Sequence, residues 1–112
     1  SKVIRFNAKE PEAAKRYAEI ARFIDLKGST DEELVDALIA ELRGMNEKLN
    51  IPTCIKEYEG GIIDETEFNE KLPSVAELAV GDACTGSNPR PITPAEMEKL
   101  LTCCYYDKEV DF

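Results

Sequence analysis

The sequence predicts an all-α protein with four or five helices. It lacks the sustained alternation of apolar and polar residues that a half-buried strand would require. Apolar residues instead recur at helical spacing, and helix-capping residues precede several of these segments. A chain of 112 residues has room for one domain, so we expect residues 1–112 to form a single helical domain or a fragment of one.

The first predicted helix extends from Pro11 to about Ile24. Pro11 suits the first turn of a helix, where its missing N–H would have no partner within the helix. The preceding residues, Lys2–Asn7, are apolar enough to be buried but carry no helix-start signal, so we expect them to continue an element from earlier in a longer chain. The positions expected to face the core are Ala13, Tyr17, Ile20, Ala21 and Ile24.

A second, longer helix is predicted to begin after Thr30 and to stop near Asn50. Thr30 and Glu33 have the spacing of a capping box, in which each side chain accepts a hydrogen bond from a free amide of the first turn. Pro52 ends the helix because proline disfavours the helical conformation of the residue before it. We expect this helix to be the main core element, through Leu34, Val35, Leu38, Ile39, Leu42, Met45 and Leu49.

Residues 52–63 include the pair Gly60 and Gly61 and are typical of an ordered connection. Helical character returns after Asp64, a good N-cap residue. Pro73 is expected to mark the first turn of a further, separate helix. The residues of that helix expected to face inward are Val75, Leu78 and Ala79.

The last predicted helix extends to about Tyr105. Thr93, Pro94 and Glu96 combine an N-cap, a first-turn proline and a capping-box glutamate. The acidic residues 107–112 that follow are expected to fray. The apolar face of this helix consists of Met97, Leu100, Leu101, Cys104 and Tyr105.

Charge and apolar patterning exclude several classes of partner. The formal net charge of −9 would repel phosphates, so nucleic acid and anionic membrane surfaces are not expected partners. No apolar stretch is long enough to span a bilayer. Lysines interleave with the acidic residues, which favours a solvated helix surface over an acidic binding tail.

The cysteines predict neither a metal site nor a disulfide framework. Cys54, Cys84, Cys103 and Cys104 have no zinc-site spacing, and the sequence contains no histidine. No secretory leader is visible, so free thiols in the cytoplasm are favoured. Adjacent helical cysteines cannot readily meet disulfide geometry, so Cys103 and Cys104 are expected to be packing residues.

The stretch D-A-C-T-G-S-N-P-R, residues 82–90, is the most specialised part of the chain, and we call it the cysteine loop. It lies between two helical patterns, as functional loops often do. Asn88, Pro89 and Arg90 are expected to set its geometry, because asparagine before proline favours a turn and Arg90 can pair with an acid or a helix C-terminus. No catalytic residue is assigned, because without histidine no imidazole base can activate Cys84.

The cysteine loop resembles the D-x-C-T-G-x-N-P-R signature near the carboxyl end of iron-dependent alcohol dehydrogenases. Further segments resemble that family in the same order, namely residues 3–7, 17–22, 49–52 and 105–106. The resemblance is greatest to the alcohol dehydrogenase portion of the bifunctional aldehyde-alcohol dehydrogenases of fermentative bacteria.

This resemblance implies that the chain is the later part of a dehydroquinate synthase-like helical domain. In the family, an α/β domain binds NAD(P), and one aspartate and three histidines of the helical domain bind divalent iron or zinc for reversible hydride transfer. Those ligands and the nucleotide domain would precede Ser1. We therefore expect the chain alone to bind no cofactor and to be inactive.

The resemblance also implies that Cys84 lines the substrate and nicotinamide pocket of the parent enzyme without performing the transfer. A small buried residue on a tight loop remains an equally open interpretation of Cys84; both roles could hold together, and they differ in exposure after truncation. The expected partners are the remainder of the parent enzyme and a second copy, since a domain taken from an assembly exposes an apolar face. The alternative is a self-standing acidic helical module that docks a partner in an apolar groove.

Overall fold

The computed structural model describes residues 1–58 and 63–112, and within these ranges the chain forms five α-helices and no strand. The all-α prediction is confirmed. Gly60 and Gly61 of the predicted connection lie outside the described residues. The helices are α1 (Lys2–Asn7), α2 (Pro11–Phe23), α3 (Asp31–Lys48), α4 (Glu65–Gly81) and α5 (Pro94–Tyr106), with short 3-10 turns at Ile55–Glu57 and Thr85–Ser87.

Three predicted helix starts, those after Thr30, Asp64 and Thr93, are confirmed by hydrogen bonds at their caps. Oδ1 of Asp64 accepts from the amide of Glu67 at 2.9 Å, which begins α4. The box at Thr93 is complete, since Glu96 also accepts from the Thr93 amide at 2.9 Å. Thr30 caps α3 in the same way, but the return bond to the carboxylate comes from Ser29 at 2.6 Å instead of from Thr30.

Helix α4 is continuous through Pro73, so the prediction of a separate helix beginning there is wrong. Proline removes one intrahelical bond, but packing of α4 against α5 maintains the helix across this point. Phe68, before the proline, stacks on the ring of Tyr105 at 4.0 Å, and Ala76, after it, is fully buried. The hydroxyl of Ser74 donates to the Lys71 carbonyl at 2.9 Å, within the turn that contains the proline.

The continuity of α4 also changes which residues face inward. Val75 and Leu78 are 44% and 75% exposed, so their predicted burial is wrong. The inward stripe is instead set by the partly buried Phe68 and Leu72 and the buried Ala76, which follow one another at intervals of four residues. If a new helix had begun at Pro73, a different set of its residues could have faced the core.

Among the residues that the structure describes, 1–58 and 63–112, the core contains two clusters, one around the α2–α3 pair and one around α5. In the first, Ala18 and Ala21 of α2 pack against Leu34 and Leu38 of α3. Helix α1 contacts α2, α3 and α5 and so joins the two clusters. The second cluster contains Phe6, Leu100, Cys103 and Val110, with Ile92 and Phe112 packed against it.

Several residues expected in the core are exposed. Ile20 and Ile24 of the first predicted stripe are 50% and 45% exposed, and their burial was predicted wrongly. Because α2 approaches α3 closely, its small residues Ala18 and Ala21 face α3, and the larger isoleucines lie outside the contact. On α3 the expectation holds for Leu34, Val35 and Leu38, but Met45 and Leu49 are 48% and 63% exposed.

Residues 107–112 are docked, so the expectation that they fray is wrong. Val110 is 4% exposed, and the Phe112 ring lies 6.0 Å from the ring of Phe6. Asp107 ends α5 in the left-handed conformation with φ of 56°. The amide of Lys108 then donates to the Cys103 carbonyl at 3.1 Å. The tail returns over α5 because its two apolar side chains complete the second cluster.

Asp107 also connects three helices electrostatically. Its carboxylate accepts both guanidinium nitrogens of Arg43 at 2.8 and 2.7 Å and the ammonium group of Lys2 at 2.8 Å. Hydrogen bonds from Arg43 are the main cause that lowers the pKa of Asp107 well below its usual value. Within the described ranges, no helix is both long and apolar enough to cross a membrane.

Candidate functional site

The cysteine loop follows α4 and is held in shape by its own short polar side chains. Thr85 donates its hydroxyl to the Ala79 carbonyl at 2.6 Å, which ties the loop to the last turn of α4. Asp82 accepts from the Cys84 amide at 2.8 Å, and the Ser87 hydroxyl donates to the Cys84 carbonyl at 2.8 Å. Both main-chain groups of Cys84 are therefore fixed.

The Cys84 side chain is exposed, so the interpretation as a small buried residue is wrong. It lies at the wall of an open groove of about 470 Å³, which we call the Cys84 groove. The groove runs between the cysteine loop, α1 and α5, and its surface is mostly apolar. Its walls include Val3, Phe6, Asn88, Met97, Leu101 and Cys104.

Asn88 is bound to Asn7 by two reciprocal hydrogen bonds between their side-chain amides. Nδ2 of Asn7 donates to Oδ1 of Asn88 at 2.9 Å, and Nδ2 of Asn88 donates to Oδ1 of Asn7 at 2.7 Å. Asn7 is 2% exposed, and its Nδ2 also donates to the Tyr17 hydroxyl at 3.1 Å. The loop is thereby joined to the end of α1.

Arg90 holds the far end of the cysteine loop against two distant parts of the chain. Its guanidinium donates to the main-chain oxygens of Phe6 and Phe112 at 2.9 and 3.0 Å. It also lies over the Phe6 ring, 3.9 Å from the ring centroid, and 3.6 Å from the Glu96 carboxylate. A guanidinium can serve several planar acceptors and an aromatic face together, which an ammonium group does less well.

Pro89 lies exposed between these two anchors. Asn88 before it adopts extended backbone, with φ of −65° and ψ of 136°, as proline favours in the preceding residue. Nδ2 of Asn88 additionally donates to the Arg90 carbonyl at 2.7 Å. The structure thus brings Asn88 and Arg90 together at the closed side of the loop, while Cys84 faces the groove.

Of the other thiols, Cys103 is packed in the second cluster, whereas Cys54 and Cys104 are partly exposed and Cys104 lines the Cys84 groove. All four cysteines are free, and the Cys103 thiol donates to the Glu109 carbonyl at 3.1 Å. Burial raises the pKa of Cys103 and of Cys104, which disfavours their thiolate forms. Within residues 1–58 and 63–112, no group of three or more His, Cys, Asp or Glu side chains could hold a metal ion.

Asn7 is the residue at this site that the sequence did not reveal. Its partner Asn88 is 81 positions away, and no local spacing connects them. An asparagine directly after Phe6, in a segment expected to be buried, was the one available signal, because a buried amide requires hydrogen-bond partners.

Comparison with known proteins gives a family match along nearly the whole chain. The model of the Fe-containing alcohol dehydrogenase family, C-terminal, matches residues 1–105. An NADPH-dependent butanol dehydrogenase of Clostridium saccharobutylicum is 51% identical over 110 residues, which cover 98% of this chain and 27% of that protein.

Two bifunctional relatives show the same partial coverage. An aldehyde-alcohol dehydrogenase of Clostridium acetobutylicum is 42% identical over 90% of this chain and 13% of its own length. The bifunctional aldehyde-alcohol dehydrogenase AdhE of Escherichia coli K12 is 31% identical over 96% of this chain and 13% of its own length. The chain therefore spans about a quarter of the first relative and about an eighth of the other two.

Proposed function

The chain belongs to the Fe-containing alcohol dehydrogenase family, as its carboxyl-terminal helical part, and on this premise we propose that it forms one wall of the alcohol pocket in an NAD(P)-dependent alcohol dehydrogenase. The observation that supports this function is the exposed Cys84 on a rigid loop beside an apolar groove. An exposed, well-fixed loop beside a groove is typical of a binding site.

The proposed contribution of this chain is shape and exclusion of water. The apolar walls of the Cys84 groove, among them Val3, Met97 and Leu101, suit the alkyl part of a short alcohol. The thiol of Cys84 is small and only weakly polar, so it can line such a pocket beside a nicotinamide without reacting. The 51% identical relative is described as an NADPH-dependent butanol dehydrogenase, which supports a short-chain alcohol and NAD(P) as substrates.

The residues of this chain do not fit a metal centre. The sequence contains no histidine, and the described residues form no suitable cluster of donors. We therefore assign the divalent iron or zinc, together with the nucleotide-binding domain, to the remainder of the proposed enzyme. No chemical step is assigned to residues of this chain.

The remainder of the enzyme is also the proposed partner of the exposed apolar side chains. Phe23 is 88% exposed, and Ile20 is 50% exposed on the same face of α2. We propose that the chain self-associates in concentrated solution when these side chains are uncovered.

The four free thiols support a cytoplasmic location, where cysteines remain reduced.

The function is tested by filling the groove in the complete polypeptide that its gene encodes. Cys84→Leu adds bulk at the proposed pocket, and we expect kcat/KM for butanol to fall about tenfold or more. Cys54→Leu is the matched control, because Cys54 lies outside this groove. Equal kcat/KM for Cys84→Leu and the wild type would refute the pocket role, as would alcohol oxidation by the 112-residue chain alone.

A further inference from the structure

We propose that Asn7 and Asn88 form a positioning pair that sets the distance between two of the three walls of the Cys84 groove. The pair joins α1, whose Val3 and Phe6 line one wall, to the cysteine loop, which forms a second, and α5 forms the third. The kinetic test of this inference rests on the proposed function, whereas its test by amide hydrogen exchange does not.

The hydrogen-bonding capacity of both amides is directed inward. Asn7 uses its NH2 group for Asn88 and for the Tyr17 hydroxyl, and it accepts from Asn88 in return. Asn88 uses its NH2 group for Asn7 and for the Arg90 carbonyl. A rotation of either amide by 180° would place oxygen against oxygen, so the arrangement of donors and acceptors permits one orientation.

The position of Asn88 is transmitted to Cys84 through a short chain of bonds. The Asn88 amide donates to the Thr85 carbonyl at 3.0 Å, and the Ser87 amide donates to the Cys84 carbonyl at 3.2 Å. The Ser87 hydroxyl adds a second bond to that carbonyl. A displacement of Asn88 would therefore move the turn that carries Cys84.

Directional bonds suit this role better than apolar contact. Apolar side chains at these positions could slide or repack, because their attraction has no preferred direction. Paired amides hold a defined distance and angle between donor and acceptor. Asn7 is nearly fully buried, so water cannot take the place of its hydrogen-bond partners.

Aspartate at either position breaks the pair with almost no change of shape. In Asn7→Asp, the Tyr17 hydroxyl can turn to donate to the carboxylate, so the loss is concentrated on Asn88. In Asn88→Asp, the new oxygen faces the carbonyls of Asn7 and Arg90. Asn46→Asp is the matched control, because Asn46 is exposed on α3 and lies outside the groove.

The structural test is amide hydrogen exchange in the 112-residue chain. We expect exchange of residues 82–90 to become about tenfold faster in Asn7→Asp and Asn88→Asp, while α2 and α3 exchange as in the wild type. Asn46→Asp should leave the loop unchanged. Uniformly faster exchange of all helices would show a merely stabilising role and overturn the proposal, as would unchanged exchange of the loop in both variants.

The kinetic test uses the complete polypeptide. For folded enzyme, we expect kcat/KM for butanol to fall about 10- to 100-fold in both variants, because small displacements of a pocket wall disturb substrate alignment. KM for the nicotinamide nucleotide should change less than KM for the alcohol. Lower thermal stability with unchanged kcat/KM would overturn the positioning role. If the wild-type polypeptide oxidises no alcohol, the proposed function fails, and the exchange experiment alone decides whether the pair positions the loop.

Discussion

The α2–α3 pair and the region around the cysteine loop are held together by different kinds of contact. Alanines of α2 lie against leucines of α3, and this contact depends on volume and burial. The loop instead meets α1 and the tail through directional bonds of Asn88 and Arg90 to groups far away in the sequence. The first region should tolerate changes that conserve volume, whereas the second should fail when one donor is replaced.

The largest expected effect belongs to the apolar pair. Leu34 is 1% exposed, and Leu34→Ala leaves a cavity that should reduce the free energy of unfolding by about 3 kcal/mol. Leu34→Met nearly conserves volume and should cost less than about 1.5 kcal/mol. Urea unfolding followed by circular dichroism measures both. Equal losses for the two variants would contradict the view that volume governs this region.

Arg90 provides the corresponding test of the loop region. Arg90→Ala leaves two main-chain acceptors without their donor and should reduce the free energy of unfolding by about 2 kcal/mol. Arg90→Lys conserves the charge but not the planar fork, so we expect it to recover less than half of that loss. Arg16→Ala, at a side chain that is 77% exposed, is the control and should change little. Full recovery by lysine would show that charge alone is needed.

Val110 tests whether the tail contributes to the second cluster. Val110→Ala should reduce the free energy of unfolding by about 1.5 kcal/mol, because the side chain is 4% exposed. The exposed Asp111 provides the control Asp111→Ala, which keeps its main-chain bond to Lys9. If chemical unfolding gave Val110→Ala the same free energy of unfolding as the wild type, the tail would not contribute to the second cluster and would be frayed, as its sequence suggests.

The smallest expected effect is electrostatic. The pKa of Asp107 is lower in the folded protein, so its ion pairs stabilise the fold above the unfolded value of about 3.9 and lose this contribution as the pH falls below it. Asp107→Asn tolerates the same left-handed backbone. It should cost about 1 kcal/mol at neutral pH, since Arg43 is partly solvated. The unfolding free energies of the two proteins should converge as the pH falls from about 5 through the unfolded pKa toward the lowered folded pKa, and a constant difference would exclude Asp107 as the cause.

Local signals predicted much of the fold, because helix caps act over three or four residues. Thr30, Asp64 and Thr93 therefore marked three helix starts that the structure confirms. Pro73 misled because its local effect is outweighed by contacts with α5, which local spacing does not contain. The burial of Ile20 was predicted wrongly because helical spacing alone does not show whether the alanines or the isoleucines of α2 face the core.

At the candidate site, the residue types of the cysteine loop drew attention to Cys84, Asn88 and Arg90, but not to what holds them. Asn7 and the Phe112 main-chain oxygen are their partners, across separations of 81 and 22 residues. Such contacts depend on how the helices pack. The acidic composition of residues 107–112 also concealed Val110, whose burial depends on a cluster formed by other segments.

Residues 107–112 are held by hydrogen bonds to their main chain. Lys2, Lys9 and Arg90 donate to the main-chain oxygens of Lys108, Asp111 and Phe112. Because a main-chain oxygen is present whatever the side chain, substitutions at Lys108, Glu109 and Asp111 should leave the docking intact, provided that the two apolar anchors remain. Sequence divergence there is therefore a poor guide to structural divergence.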